Sequence, residues 1–344
     1  MYLNLGRVLI WLCALALQSI TVAQPSLGGS VVREGGRPVE RSTGEWLLRM
    51  HEATRHGAYV GTFVVSSATG GMSSSRIWHV CDGAQQVERV DALTGAPRST
   101  YRHNDQVTTF LPRSGLVLQE RRDSLRLFSD LLQNQDAAIS GFYSARLVGA
   151  DRVAGVDADV LLLEPRDRMR FGYRVWSERE SGLVVKLQTL DRDGRVLEQA
   201  AFSDLRLDVR INMGQLIEMM GRTQGYRVER VEPVATTAAA EGWVIKSGVA
   251  GFKLTSCIRR PFAGPTPPGD RQGRTIQWIF SDGLASVSLF VEPLDSHAMA
   301  HDASLAVGAT RLLSRQIQGG WLTVVGEVPQ QTLQAFSESL ERAR

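Results

Sequence analysis

Lysine is almost absent from this chain. It stands at positions 186, 246 and 253 alone, and arginine supplies every other fixed cation. The arginines are spread along the whole length, and the formal net charge is only +3, so no field of one sign points to nucleic acid. Cysteine is scarce too: Cys13, Cys81 and Cys257, with no CxxC spacing, which excludes a zinc ribbon or a disulfide framework. Phosphate-binding glycine loops, a GxSxG elbow and a GxGxxG turn are all missing, and no histidine pairs with an obvious Ser or Cys nucleophile. Asp82 and Asp282 have a structural reason to sit in Asp-Gly turns before any acid–base role is considered. The expectation is a protein that is not an enzyme and needs no cofactor.

Two histidine pairs imitate metal sites. His51 and His56 flank a segment resembling HExxH with one residue too many, which on a helix turns the second ring about 140° away from the first. His297 and His301 are four apart but lack a third ligand at useful spacing. No metal is expected.

Long apolar runs are missing except at the start. Arg7 precedes the uncharged stretch Val8 to Leu17, and Thr21-Val22-Ala23 ends on a small residue. Residues 1–23 therefore read as a signal peptide cleaved before Gln24, too short to span a bilayer. Leu12 before Cys13 is unsuited to a lipobox, so a soluble product in the periplasm is expected. There Cys81 and Cys257 either staple two domains together or stand as two buried thiols, and the alternative stays open.

Residues 24–42 are rich in Gly, Pro and charge and read as a flexible tail. Ser42 and Glu45 have capping-box spacing, and Trp46, Leu47, Met50 and Ala53 then follow at helical spacing. From Ala58 to Phe202 the period changes to two, as in Tyr59, Gly61, Phe63, Val65. Asp82-Gly83, Ser181-Gly182 and Asp193-Gly194 mark hairpins. Such a meander curls into a barrel or half-barrel, with short helices expected between Ser124 and Tyr143.

The first domain is placed at 43–208 and a linker at 209–240, within which INMGQLIEMMG has the look of a short helix. A second α+β domain is placed at 241–344, with hairpins at Asp282-Gly283 and Gly319-Gly320 and a last helix opened by Pro329. Contacts between such domains are usually modest, so relative motion is expected.

Several segments are more than generic. GTFVVSSATGGMSSSRIWHVCDGAQQVERV (61–90), DRVAGVDADVLLLEPRDRMRFGYRVW (151–176), FSDGLASVSLFVEPL (280–294) and TVVGEVPQQTL (323–333) resemble, in collinear order, the MucB/RseB regulators. The resemblance spans roughly residues 43–342 and departs where Val65 and Met169 replace family aromatics. It implies an α+β chain: a LolA/LolB-like antiparallel half-barrel with covering helices and a lipid-accepting interior, then a smaller partner-binding domain. It also implies a function in envelope-stress sigma-factor regulation. The protein would bind the periplasmic domain of a transmembrane anti-sigma factor (RseA or MucA) and protect it from proteolysis, with release by lipopolysaccharide or another lipid. A periplasmic lipid or lipoprotein carrier is the alternative, and a homo-oligomer is left open.

In that frame Phe63, Phe110, Leu118, Phe128, Leu132 and Leu163 are candidates to line the acyl cavity, with ordinary core as the competing reading. Arg166, Arg168, Arg170 and Arg174 are candidates to hold an acidic headgroup, since even spacing puts them on one strand face if the run is extended. Arg259, Arg260, Trp278 and Phe280 are the candidate partner-binding residues.

Overall fold

The computed structural model describes residues 41–343 apart from 54, 56, 122–135, 247, 262–273, 293–301 and 319. The leader, most of the tail, Phe128, Leu132, His56, His297 and His301 lie outside the described residues. Ser42 and Glu45 open α1 (Thr43–Ala53) by reciprocal capping: Ser42 N–H donates to Glu45 Oε2 at 2.6 Å, and Glu45 N–H to Ser42 Oγ at 3.2 Å. Trp46, Leu47 and Met50 form its buried stripe.

The meander follows as β1 (Gly57–Ser67), β2 (Met72–Cys81), β3 (Gln86–Ala92), β4 (Ser99–His103), β5 (Gln106–Leu111) and β6 (Leu116–Arg121). A short helix, α2 (Asp136–Phe142), leads into β7 (Tyr143–Val153), β8 (Val156–Pro165), β9 (Gly172–Glu178), β10 (Val184–Leu190) and β11 (Val196–Leu207). Then come α3 (Met213–Gly221) and β12 (Arg227–Val231). Together these strands make one twelve-stranded sheet in the order β12-β6-β5-β4-β3-β2-β1-β11-β10-β9-β8-β7. Among the described strands of this sheet, only β12 against β6 is parallel. Asp82 closes the β2–β3 turn by accepting from the N–H groups of Ala84 and Gln85 at 2.9 and 2.7 Å.

The sheet is strongly curled. In a flat sheet β7 and β11 would lie about 19 Å apart, four strand spacings, yet the two strands touch. Val153 of β7 also shares one apolar cluster with Tyr59 of β1 and Leu205 of β11.

Residues 209–240 correct the expected linker. Asn212 accepts from Gln215 N–H at 3.0 Å and caps α3, whose Met220 packs on Tyr101, Phe110 and Val117. β12 then adds a strand beside β6, so most of this segment belongs to the first sheet.

The second unit contains β13 (Val234–Ala235), β14 (Trp243–Ile245), β15 (Lys253–Pro261), β16 (Arg274–Ser281), β17 (Ser286–Glu292), β18 (Ala303–Val307), β19 (Thr310–Ile317) and β20 (Gly320–Gly326). It closes with α4 (Gln330–Ser339) and β21 (Leu340–Arg342). Seven of these strands form a sheet in the order β13-β15-β16-β17-β20-β19-β18, and β14 pairs with β21. Trp278, Val287, Leu289, Leu322 and Val324 of the sheet pack with Trp243 and with Leu333 and Phe336 of α4. Each large apolar side chain so buried contributes about 1.5–3 kcal/mol. Cys81 and Cys257 are free, half-buried thiols.

Candidate functional site

Strand register decides which candidate lining residues can share a cavity. Phe63 stands opposite Ser75, Ser75 opposite Ala92, Val90 opposite Thr100, Thr100 opposite Thr109, and Thr109 opposite Leu118. Opposed residues share a face, and so do residues two apart on one strand, so Phe63 and Leu118 are on one side of the sheet. The same walk in the other direction, through Ser67, Glu198, Thr189 and Tyr173, reaches Leu163. Phe110 pairs with Ser99 and Val117 and falls on the opposite face. There it is buried against Tyr101 and Tyr226, with ring centroids 5.6 and 5.4 Å away, and is covered by α3. Phe110 is therefore removed from the lining set.

α1 and α2 cover the face that carries Leu163. Trp46, Leu47 and Met50 of α1 and Ile139 of α2 pack there with Tyr143, Leu161, Leu163, Tyr173 and Val175. Farther along the same face Phe63 and Phe202 meet edge-on at 6.2 Å, and both are only half-buried. Leu118 is half-buried as well. Apolar surface is thus left on this face away from the two helices.

The four arginines do not form the expected row. β8 stops at Pro165 and β9 begins at Gly172, and Asp167 turns the chain between them by accepting from Met169 N–H at 2.9 Å. Alternation does not apply to a bent segment, so the even spacing loses its meaning. Arg166 and Arg168 are exposed, and Arg174 is half-buried on β9, donating to Gln188 Oε1 at 3.2 Å. The Arg170 side chain is 0 % exposed.

Arg170 instead joins the two sheets. Its Nε donates to Asp282 Oδ2 at 2.6 Å, and its terminal nitrogens reach Asp167 and the Ala250 carbonyl. The guanidinium lies between the rings of Phe142 and Phe252, 4.2 and 4.8 Å from their centroids. Asp282 is buried as well; its Oδ2 also accepts from Tyr143 Oη at 3.2 Å. Burial pushes the Tyr143 and Tyr173 hydroxyls above the usual phenol range, with the Asp282 charge adding to the shift in both, so both stay neutral donors.

Other contacts extend the junction. Thr332 Oγ1 donates to Met169 O at 2.7 Å, and Arg311 lies over the Phe171 ring at 5.5 Å. Ala309 N–H points at Glu198 Oε2 from 3.5 Å. Burial raises the Glu198 carboxyl above its ordinary value, and burial followed by the charge of Glu198 raises that of Glu327. The contacts between the two units thus include a wholly buried ion pair.

The partner-binding candidates separate in the same way. Trp278 and Phe280, 0 % and 5 % exposed, belong to the core of the second unit and offer no surface to a partner. Arg259 is partly exposed and held by Glu241 through Nε at 2.9 Å, while Arg260 donates to Gln277. Of the four, only the two arginines are partly exposed.

Comparison with known proteins places this geometry. Residues 42–220 match the MucB/RseB N-terminal domain and residues 237–341 the MucB/RseB C-terminal domain. The sigma factor AlgU regulatory protein MucB of Pseudomonas aeruginosa is 32% identical over 307 residues, which is 86% of this chain and 90% of that protein. The sigma-E factor regulatory protein RseB of Escherichia coli is 22% identical over 94% of this chain and 98% of its own. A crystal structure of MucB in complex with MucA(peri) superposes with a TM-score of 0.64 at 29% identity, covering 87% of this chain and 98% of the other. With both domains matched in order, this chain belongs to the MucB/RseB family.

Proposed function

We propose that this protein is a periplasmic regulator of an envelope-stress sigma factor. In this reading it binds the periplasmic segment of a transmembrane, MucA-like or RseA-like anti-sigma factor and shields it from regulated proteolysis. It acts by binding and not by catalysis. The observation that carries this reading is the likeness of the whole two-domain chain to MucB as it stands in complex with MucA(peri). The presence of a second domain favours a regulator over a simple lipid carrier, which has no need of one.

Lipopolysaccharide or another lipid is the proposed releasing ligand. Support comes from the half-buried Phe63, Phe202 and Leu118 on the face shared with Leu163. The side chains of Arg166 and Arg168, just past the end of β8, the strand that carries Leu163, are exposed, although the Arg168 carbonyl accepts from Gln331 of the second unit. Arg259 and Arg260 are kept as partner contacts. The experiment is a protection assay: the anti-sigma factor's periplasmic segment is exposed to the regulatory protease with and without this protein. Slower cleavage with the protein, restored by lipopolysaccharide, supports the reading, and unchanged cleavage refutes it.

A further inference from the structure

The short helix α2 touches two things at once. Ile139 and Tyr143 belong to the apolar cluster over Leu161 and Leu163, beneath α1. The same stretch also meets the second unit. A side chain grown from Gly283 would come within 3.0 Å of Ile139 Cδ1, so the turn seats itself closely against the helix. Phe142 lies on the Arg170 guanidinium, and Tyr143 donates to the carboxylate that Arg170 holds. Leu284, next along the turn, packs against the cluster of the first unit.

Gly251 shows how tight the arrangement is. It holds φ +85°, and a β-carbon there would fall on the Arg170 guanidinium and the Phe142 ring. A buried ion pair is a poor source of net stability, but separating it without water leaves the Asp282 carboxylate buried without its countercharge, while Arg170 keeps Asp167. Intermediate positions are therefore disfavoured. Either α2 is seated and the pair closed, or the helix has moved and the pair is hydrated.

We propose that α2 and the Arg170–Asp282 pair form one latch, so that seating of the helix on the Leu161/Leu163 face and docking of the two sheets are a single equilibrium. An acyl chain that takes the place of Ile139 and Tyr143 on that face opens the latch and releases the second unit. This rests on the proposed lipid reading for the nature of the ligand. By linkage, full opening of the latch raises the affinity for that ligand by the same factor by which the bound ligand shifts the latch toward its open state, so a weakened latch binds the ligand more tightly.

The test uses the full mature chain and palmitate as the acyl probe. Asp282→Asn keeps an oxygen for the turn N–H groups of Leu284 and Ala285 but removes the charge facing Arg170. Hydrogen exchange of residues 139–143 should quicken at least about tenfold in this variant, and palmitate should bind about fivefold or more tighter. Saturating palmitate should quicken the same amides in the unmodified chain. Should Asp282→Asn fail to fold, Phe142→Leu leaves the ion pair intact and should shift both readouts less, in the same direction. Unchanged exchange at 139–143 in a folded variant overturns the latch. Palmitate that binds without loosening these amides, or does not bind, overturns the coupling. Neither readout uses the anti-sigma factor, so failure of partner binding would be seen separately.

Discussion

Leu163 and Phe110 stand on opposite faces of the twelve-stranded sheet, Leu163 beneath α1 and α2 and Phe110 beneath α3. Substitutions on the two faces should therefore separate lipid binding from stability. Leu118→Glu, half-buried on the Leu163 face, should weaken acyl-chain binding about tenfold or more in a fluorescent fatty-acid titration, with the fold intact. Phe110→Ala should cost about 3–5 kcal/mol in urea unfolding while the folded fraction binds the probe unchanged. The reverse outcome would put the acyl site under α3.

The cap on α3 tests whether this helix belongs to the first folded unit. Asn212→Ala removes the oxygen that accepts from Gln215 N–H. It should lower stability by about 1 kcal/mol. The loss should appear in the transition that reports on Trp78 and the β2–β4 strands. A variant whose unfolding curve overlays the parent would mean that 209–240 is a linker after all.

The junction should respond to pH through Glu198. Its folded-state carboxyl is raised above its ordinary value near 4.5, chiefly by burial. A raised acid means that the folded state holds the proton longer. Its contribution is fully present below the unfolded value and is lost as pH rises through the folded one. Glu198→Gln is neutral throughout, so its Tm relative to the parent should climb from about pH 5 to about pH 8. A difference that stays flat, or falls, would show that Glu198 is not held in a desolvated junction.

Gly251 supplies a steric test of the same interface. At φ +85° any β-carbon is strained, and here it meets Arg170 and Phe142 as well. Gly251→Ala should destabilise by more than about 1 kcal/mol. A neutral result by thermal denaturation would mean that the contact between the two units is looser than described.

What could be read in the sequence was local. Ser42 with Glu45, the Asp82-Gly83 and Asp282-Gly283 turns, and Pro329 before α4 each act within a few residues, and each stands where the spacing puts it. The face of Phe110 was not legible, because it follows from register summed across neighbouring strands. The arginine row failed at one bend, where Pro165 and Asp167 interrupt the alternation it relied on. Trp278 and Phe280 lie on the face of β16 that packs with α4, and composition alone does not say which face of a strand is covered.

Asp282 is the most instructive position. Its turn role is real: Oδ1 accepts from Leu284 and Ala285 N–H at 2.9 and 2.7 Å. That local reason hides the second oxygen, which holds Arg170 from 112 positions away and carries no sequence signal of its own.

Recognition of an anti-sigma factor can be measured by calorimetric titration. The full mature chain is titrated with the purified periplasmic segment of the MucA-like or RseA-like anti-sigma factor from the same cell, with and without lipopolysaccharide. A saturable complex is expected, with a Kd that rises at least about tenfold, about 1.4 kcal/mol, when lipopolysaccharide is added. Absence of heat and of any complex on gel filtration, with both partners folded, would contradict it.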